Sequence, residues 1–188
     1  MLITSVRVTP IEREKVLAVV TITLSDCFVL RAMRLMQGRS RDYVAMPVRQ
    51  TGQGGVFEVF HPINRQARDV LEQVVTRGYA NRTADRDADV DMPVRIGSES
   101  PDFVITGVRV KTFEEQKLRG FASMVIDDCL AVNGIKIIAG KQRRFVQMPN
   151  VRRKSGKFRD LAFPIKPEIR QLIEETVFRA YEESLGED

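Results

Sequence analysis

Ile3-Thr4-Ser5-Val6-Arg7-Val8 recurs as Ile105-Thr106-Gly107-Val108-Arg109-Val110, and that recurrence decides the fold. A constant shift of about 102 positions, with no insertion or deletion, carries one half of the chain onto the other. Asp26-Cys27 falls on Asp128-Cys129, Met46-Pro47 on Met148-Pro149, Gly54 on Gly156, Pro62-Ile63 on Pro164-Ile165, and Tyr79 on Tyr181. The chain reads as a tandem duplication: residues 1–82 form the first copy, 83–101 a linker and 102–185 the second copy. Units of about 80 residues bury only modest cores, so each copy is expected to lean on the other.

Within the first copy, Leu2 to Val8 alternates apolar and polar residues, and Lys15 to Leu24 and Phe28 to Met36 are rich in valine, isoleucine and leucine. These predict three antiparallel strands, with turns around Glu12 to Lys15 and at Ser25-Asp26. A short strand, Tyr43 to Met46, stops at Pro47 because proline cannot donate to a ladder. The stretch Val48 to Gly55 reads as a polar, glycine-rich hairpin loop, and Val56 to His61 as a last strand. Asn64 then suits a helix N-cap, and Pro167 suits the first turn of the second copy's helix. Ala67, Val70, Leu71, Val74, Val75 and Gly78 share one helical face, repeated by Ile169, Leu172, Ile173, Thr176, Val177 and Ala180. The expected class is α+β, with two copies of a small antiparallel β-sheet, each closed by a C-terminal α-helix and paired side by side.

The linker carries Asp85, Asp87, Asp89, Asp91 and Glu99 against Arg86 and Arg95, and is expected to be acidic and extended in part. A hydrophobic share of 43% with 29% charged residues is that of a soluble globular protein. No apolar run approaches the length of a membrane span and no leader pattern opens the chain, so a cytoplasmic location without membrane attachment is expected. Cys27 and Cys129 occupy equivalent strand-like positions and read as small apolar filler, with a symmetric contact between copies as the alternative. The single histidine, His61, is Phe163 in the second copy, which reads as packing. Neither a metal site nor a cofactor site is expected. No nucleotide-cradling glycine loop and no histidine-activated nucleophile occurs, so no catalytic residue is assigned and the protein is not expected to be an enzyme.

Charge is the informative departure. The net charge is +5. Lys136, Lys141, Arg143, Arg144, Arg152, Arg153, Lys154, Lys157 and Arg159 occur with no acidic residue among positions 136–159. Such a polycation can neutralise phosphates and release their counterions, and Phe145 and Phe158 beside it can stack on unpaired bases or serve the core. The first copy keeps Arg39, Arg41 and Arg49 but has Gln50-Thr51-Gly52-Gln53 where the second has Arg152-Arg153-Lys154-Ser155. If both copies bind nucleic acid, the second should bind more tightly.

A family resemblance rests on Val6-Arg7-Val8, Ala18 to Asp26, Phe28-Val29, Tyr43-Val44-Ala45-Met46-Pro47 and Phe60-His61-Pro62-Ile63-Asn64. In the second copy it rests on Phe145-Val146-Gln147-Met148-Pro149, Arg152 to Asp160 and Pro164-Ile165. Both copies resemble the stage V sporulation protein G (SpoVG) family of septation and sporulation regulators. The resemblance implies a fused version of the family's dimer, an intramolecular pseudo-dimer open to further self-association. It also implies a non-enzymatic regulator whose partner is DNA or RNA. The family's basic character runs on through its helix and tail, whereas this chain closes on Glu182, Glu183, Glu187 and Asp188, so the hairpin carries the expectation of contact. The alternative is a protein-interaction module of the cell-division or envelope machinery, with the charges serving solubility.

Overall fold

The computed structural model describes residues 1–52, 54–81, 93–97, 100, 102–113 and 117–186. The first copy opens as an antiparallel meander of β1 (Leu2–Arg13), β2 (Val16–Leu24) and β3 (Phe28–Met36). Its period-2 pattern buries Ala18, Val20, Ile22 and Leu24 along β2. The inward face of β3 passes from Phe28 and Leu30 to Met33 and Leu35 across a register shift at Ala32, which adopts φ 66°. That bulge moves the apolar face by one residue.

Next come β4 (Tyr43–Ala45), β5 (Val48–Gln50), β6 (Val56–Glu58), β7 (Phe60–Pro62) and α1 (Arg65–Ala80). After β8 (Val94–Arg95), the second copy runs through β9 (Ile105–Thr112), β10 (Leu118–Ile126), β11 (Leu130–Ala139) and β12 (Arg144–Gln147). It continues with β13 (Asn150–Arg152), β14 (Phe158–Asp160), β15 (Ala162–Pro164) and α2 (Pro167–Leu185).

Strand exchange joins the copies. β7 pairs with β11 of the second copy, Pro62 opposite Leu130 and Phe60 opposite Val132. Reciprocally, β15 pairs with β3 of the first, Pro164 opposite Phe28 and Ala162 opposite Leu30. The bonds flanking the exchange repeat too. Asn133 N donates to Val59 O at 2.7 Å and Arg31 N to Leu161 O at 2.7 Å, while Ile63 N donates to Cys129 O at 2.9 Å and Ile165 N to Cys27 O at 2.8 Å. The result is an intramolecular pseudo-dimer of two antiparallel sheets, ordered β15-β3-β2-β1-β8 with β4 on β3, and β12-β11-β10-β9 with β7 on β11. One continuous core spans both copies, and Phe28 of the first stacks on Phe103 of the second with ring centroids 5.2 Å apart.

Both helices form where the sequence puts them, but only α1 buries the expected face; on α2 Leu172 is 38% exposed and Tyr181 joins Ile173 and Val177 in the core. α1 buries Ala67, Leu71, Val74, Val75 and Gly78 against β1, and Asn64 caps it by accepting from Ala67 N at 2.8 Å. α2 begins at Pro167 and buries Ile173, Val177 and Tyr181 against β9.

Three details differ from the sequence reading. Val48–Gln50 is a strand rather than loop, paired with Val56–Glu58. The expected strand Val56 to His61 is two strands, divided at fully buried Val59, where the chain leaves its own hairpin to join the other copy. The linker's acidic stretch over 83–92 lies outside the described residues, yet its end is structural. Val94 and Arg95 extend the first sheet beside Ile3 and Leu2, and Ile96 is buried. Gly97 follows at φ 96°, where a Cβ would fall 2.3 Å from Asp127 Oδ2, the buried carboxylate that accepts from the Met1 amine at 2.7 Å.

Candidate nucleic-acid interface

The basic hairpin β13–β14 is built on Asn150 opposite Asp160, Val151 opposite Arg159 and Arg152 opposite Phe158. Its turn closes with Arg153 N donating to Lys157 O at 2.8 Å and Gly156 N to Arg153 O at 2.9 Å. Arg152, Arg153, Lys154, Lys157 and Arg159 are all exposed, and Phe158 is 67% exposed. Because the exchanged strand β15 follows at once, the hairpin is delivered to the first copy. There the charge of Arg31 acts on Arg159. Partial burial first, then the charges of Arg153 and Arg31, hold the Arg159 guanidinium below its usual range. A guanidinium keeps its proton regardless, and partial burial contributes more to the effect than the neighbouring like charges. Beside it, burial raises the Asp160 carboxyl against the opposing pull of Arg170 and Arg31. The Arg31 guanidinium lies 4.4 Å from the centroid of the Phe163 ring, which fixes it at the seam between copies.

The first copy's hairpin, β5–β6, crosses in the same way and leans on the second copy's sheet. Between them lies a cavity of about 670 Å³ whose cationic lining is Arg49, Arg109, Lys111 and Lys136, with aromatic walls from Phe57 and Phe121. Among the described residues no carboxylate lines it.

The remaining expected cations have other surroundings. Lys141 and Arg143 are exposed at the turn between β11 and β12, and Arg39 and Arg41 at the equivalent turn between β3 and β4. Arg144 is committed to α2: its Nη2 lies 3.4 Å from Glu182 Oε1 and its guanidinium 5.1 Å from the Tyr181 ring centroid. The sequence reading grouped Lys141 to Arg144 with Arg152 to Lys157; of these Arg144 is turned to α2, while the charges of Arg153 and Arg31 both act on Arg159. Arg31, Arg109, Lys111 and Phe121 were missed. Arg109 and Lys111 carried a readable signal, since alternate residues of one strand leave by the same face. Arg31 carried none, because its neighbour comes from the other copy.

Thiol chemistry is suppressed. Burial pushes Cys27 up to about 11 and Cys129 up to about 12, and both are free and buried. His61 is partly buried, with Nδ1 3.6 Å from Glu58 Oε2. Asp26 and Asp128 sit in matching turns at φ 51° and 49°, and the backbone N–H of each donates to a threonine hydroxyl, Thr4 and Thr106, at 3.1 Å. Among the described residues no helix is long and apolar enough to cross a membrane.

Comparison with known proteins gives the duplication a family. The SpoVG family model matches twice, over residues 1–81 and 103–183. A Bdellovibrio bacteriovorus protein that carries the name septation protein SpoVG is 41% identical over 81 residues, covering 43% of this chain and 75% of that protein. Its namesake in Phytoplasma australiense is 42% identical over 83 residues, covering 44% and 86%. That of Clostridioides difficile is 43% identical over 82 residues, covering 43% and 89%.

Proposed function

We propose that this chain, which belongs to the SpoVG family, is a regulator of septation or sporulation that acts by binding DNA or RNA in the cytoplasm. SpoVG is not a known enzyme family, and the reading assigns no catalysis. Residues 1–82 and 102–185 serve as the two binding units, and 83–101 as the tether that holds them in one body. The observation that carries the reading is the exposed run Arg152, Arg153, Lys154, Lys157 and Arg159, which the exchanged strand sets beside Arg31 of the first copy; the Arg31 backbone N–H donates to Leu161 O at 2.7 Å and its guanidinium lies 4.4 Å from the centroid of the Phe163 ring. Asp160 offsets only part of this gathered positive charge, and a phosphate backbone is an anion that would offset the rest. Arg152, Lys154 and Lys157 extend the patch along the hairpin, and Arg49 marks the thinner patch of the first copy. Lys141, Arg143, Arg39 and Arg41 supply peripheral charge, while Arg144 is held by Glu182.

The test is reversal of Arg152, Arg153 and Lys154 to glutamate, with binding to labelled DNA and RNA followed by fluorescence anisotropy across salt. Native chain should show an affinity that falls linearly in log–log form, by about 0.7 to 0.9 per phosphate contact. The reversed variant, folded by circular dichroism, should lose binding and most of that slope. Equal, salt-insensitive binding by both sinks the reading.

A second reading, a protein-interaction module, draws support from Val48 and Val56, which are 57% and 62% exposed on the first copy's hairpin. Retention of a bound protein by the charge-reversed variant, with no nucleic acid bound by the native chain, would favour it.

A further inference from the structure

The cavity beneath the first hairpin has a chemistry that the basic hairpin lacks. Phe121 on β10 stands opposite Lys111 of β9 on one side and Lys136 of β11 on the other, so the three form one cross-strand row on the same face of the sheet. Ser123 and Arg109 form the next row on that face. The opposite face carries buried Ala122 and Met124 and belongs to the core. Phe121 is 38% exposed, is braced edge-on by Phe113 at 5.5 Å, and has Lys136 Nζ 5.9 Å from its ring centroid. The hairpin of the first copy forms the other wall with Arg49 and Phe57.

We infer that this cavity is a second binding site, one that takes an unpaired nucleotide of a single-stranded nucleic acid. Its base stacks against Phe121 and its flanking phosphates lie on Arg109, Lys111 and Lys136. Three observations select that occupant. The lining combines cations with aromatic rings and, among the described residues, has no carboxylate, the complement of a phosphate joined to a planar base. The volume, about 670 Å³, lies within the roughly 300–1,000 Å³ of small-ligand sites and suits one nucleotide rather than a duplex. The equivalent surface of the first copy replaces Phe121 by Val19, Lys111 by Thr9 and Phe57 by Arg159, so these aromatic walls have no counterpart there, where Phe158 stands open on the hairpin at 67% exposure. The two composite grooves then act differently, one gripping backbone charge and the other reading an exposed base.

This inference rests on the nucleic-acid reading above, and one reporter separates the two. The chain has no tryptophan, so Phe121→Trp creates a single emitter in the cavity wall. It is titrated with oligouridylate and oligodeoxythymidylate of about 12 nucleotides, within the site sizes of single-strand binders, and with a duplex of the same length and uridine monophosphate. The single strands should quench the emission at concentrations where they bind, and the duplex should not. Phe121→Leu, which keeps apolar bulk and is checked by circular dichroism, should bind the single strands about 5- to 150-fold more weakly while duplex binding holds. Emission unchanged by strands that the native chain binds, or native affinity in Phe121→Leu, overturns the inference and leaves the proposed function standing. Quenching by uridine monophosphate as efficient as by the oligomers overturns the strand and assigns the site to free nucleotides. No binding of any nucleic acid by the native chain overturns both.

Discussion

The hairpins β5–β6 and β13–β14 share one backbone. Thr51 N donates to Gly55 O at 2.7 Å as Arg153 N does to Lys157 O at 2.8 Å, and Gly54 and Gly156 turn at φ 81° and 82°. Their surfaces differ throughout: Gln50-Thr51-Gly52 against Arg152-Arg153-Lys154, and Phe57 against Arg159. The backbone asks for a glycine at the turn and leaves the neighbouring positions to solvent, so duplicated scaffolds can acquire unequal chemistry at little structural cost. The partners differ as well, because each hairpin leans on the other copy's sheet.

Composite grooves require that the two copies form one body, and the largest expected effect tests that requirement. Phe60, fully buried on the exchanged strand β7, should cost about 3–5 kcal/mol on Phe60→Ala. Urea unfolding followed by circular dichroism and by labelling of Cys27 and Cys129 should show one transition for both copies. Separate transitions would mean that the copies are independent and the grooves not composite.

Transplanting charge probes the inequality of the hairpins directly. Gln50→Arg, Thr51→Arg and Gly52→Lys should give the first hairpin the second's grip. A Cβ at Gly52 meets nothing within 4 Å, while Thr51→Arg gives up the hydroxyl that accepts from Gly55 N at 2.9 Å, so folding of the variant is checked by circular dichroism. The salt slope should steepen by about 2–3 units if all three cations reach phosphates. No change would place the hairpins' difference outside binding.

Backbone strain offers a smaller contrast. Ala32 holds φ 66° at the bulge where the second copy has Gly134 at φ 75°. Ala32→Gly should stabilise by up to about 1 kcal/mol, whereas Gly134→Ala should cost about 1–2 kcal/mol, its Cβ falling 3.2 Å from the Phe57 ring. Both are read from urea midpoints.

The thiols give the smallest effect at neutral pH. Their folded values, about 11 for Cys27 and about 12 for Cys129, lie above the ordinary 9.0. Their contribution to stability is therefore complete below about pH 9 and fades as pH rises toward 11–12. Melting temperature should begin to fall above about pH 9, and Cys27→Ala with Cys129→Ala should flatten that limb.

Much of the fold was legible in the sequence because it is local. Asn64 announced a cap and caps α1, and the three-and-four spacing from Ala67 to Gly78 marked the face that is buried. The turn at Ser25-Asp26 and the stop at Pro47 also follow from backbone chemistry alone. The break at Val59 was hidden, because Val56 to His61 has the composition of one continuous strand. Which strand β7 joins was hidden too: β3 and β11 are near copies, and periodicity cannot distinguish an intramolecular neighbour from its duplicate.

The residues alone thus established the duplication, the class of each copy, the buried face of α1 and the cations of the second hairpin. Those properties depend on residue types at short separations. It took the folded chain to decide that the copies exchange strands, that Arg31 lies against Phe163 of the other copy, and that Phe121 shares a cavity with Arg49. Those contacts join residues whose separation in the chain carries no periodic signal. Their proximity is set by which of two equivalent surfaces buries the exchanged strand.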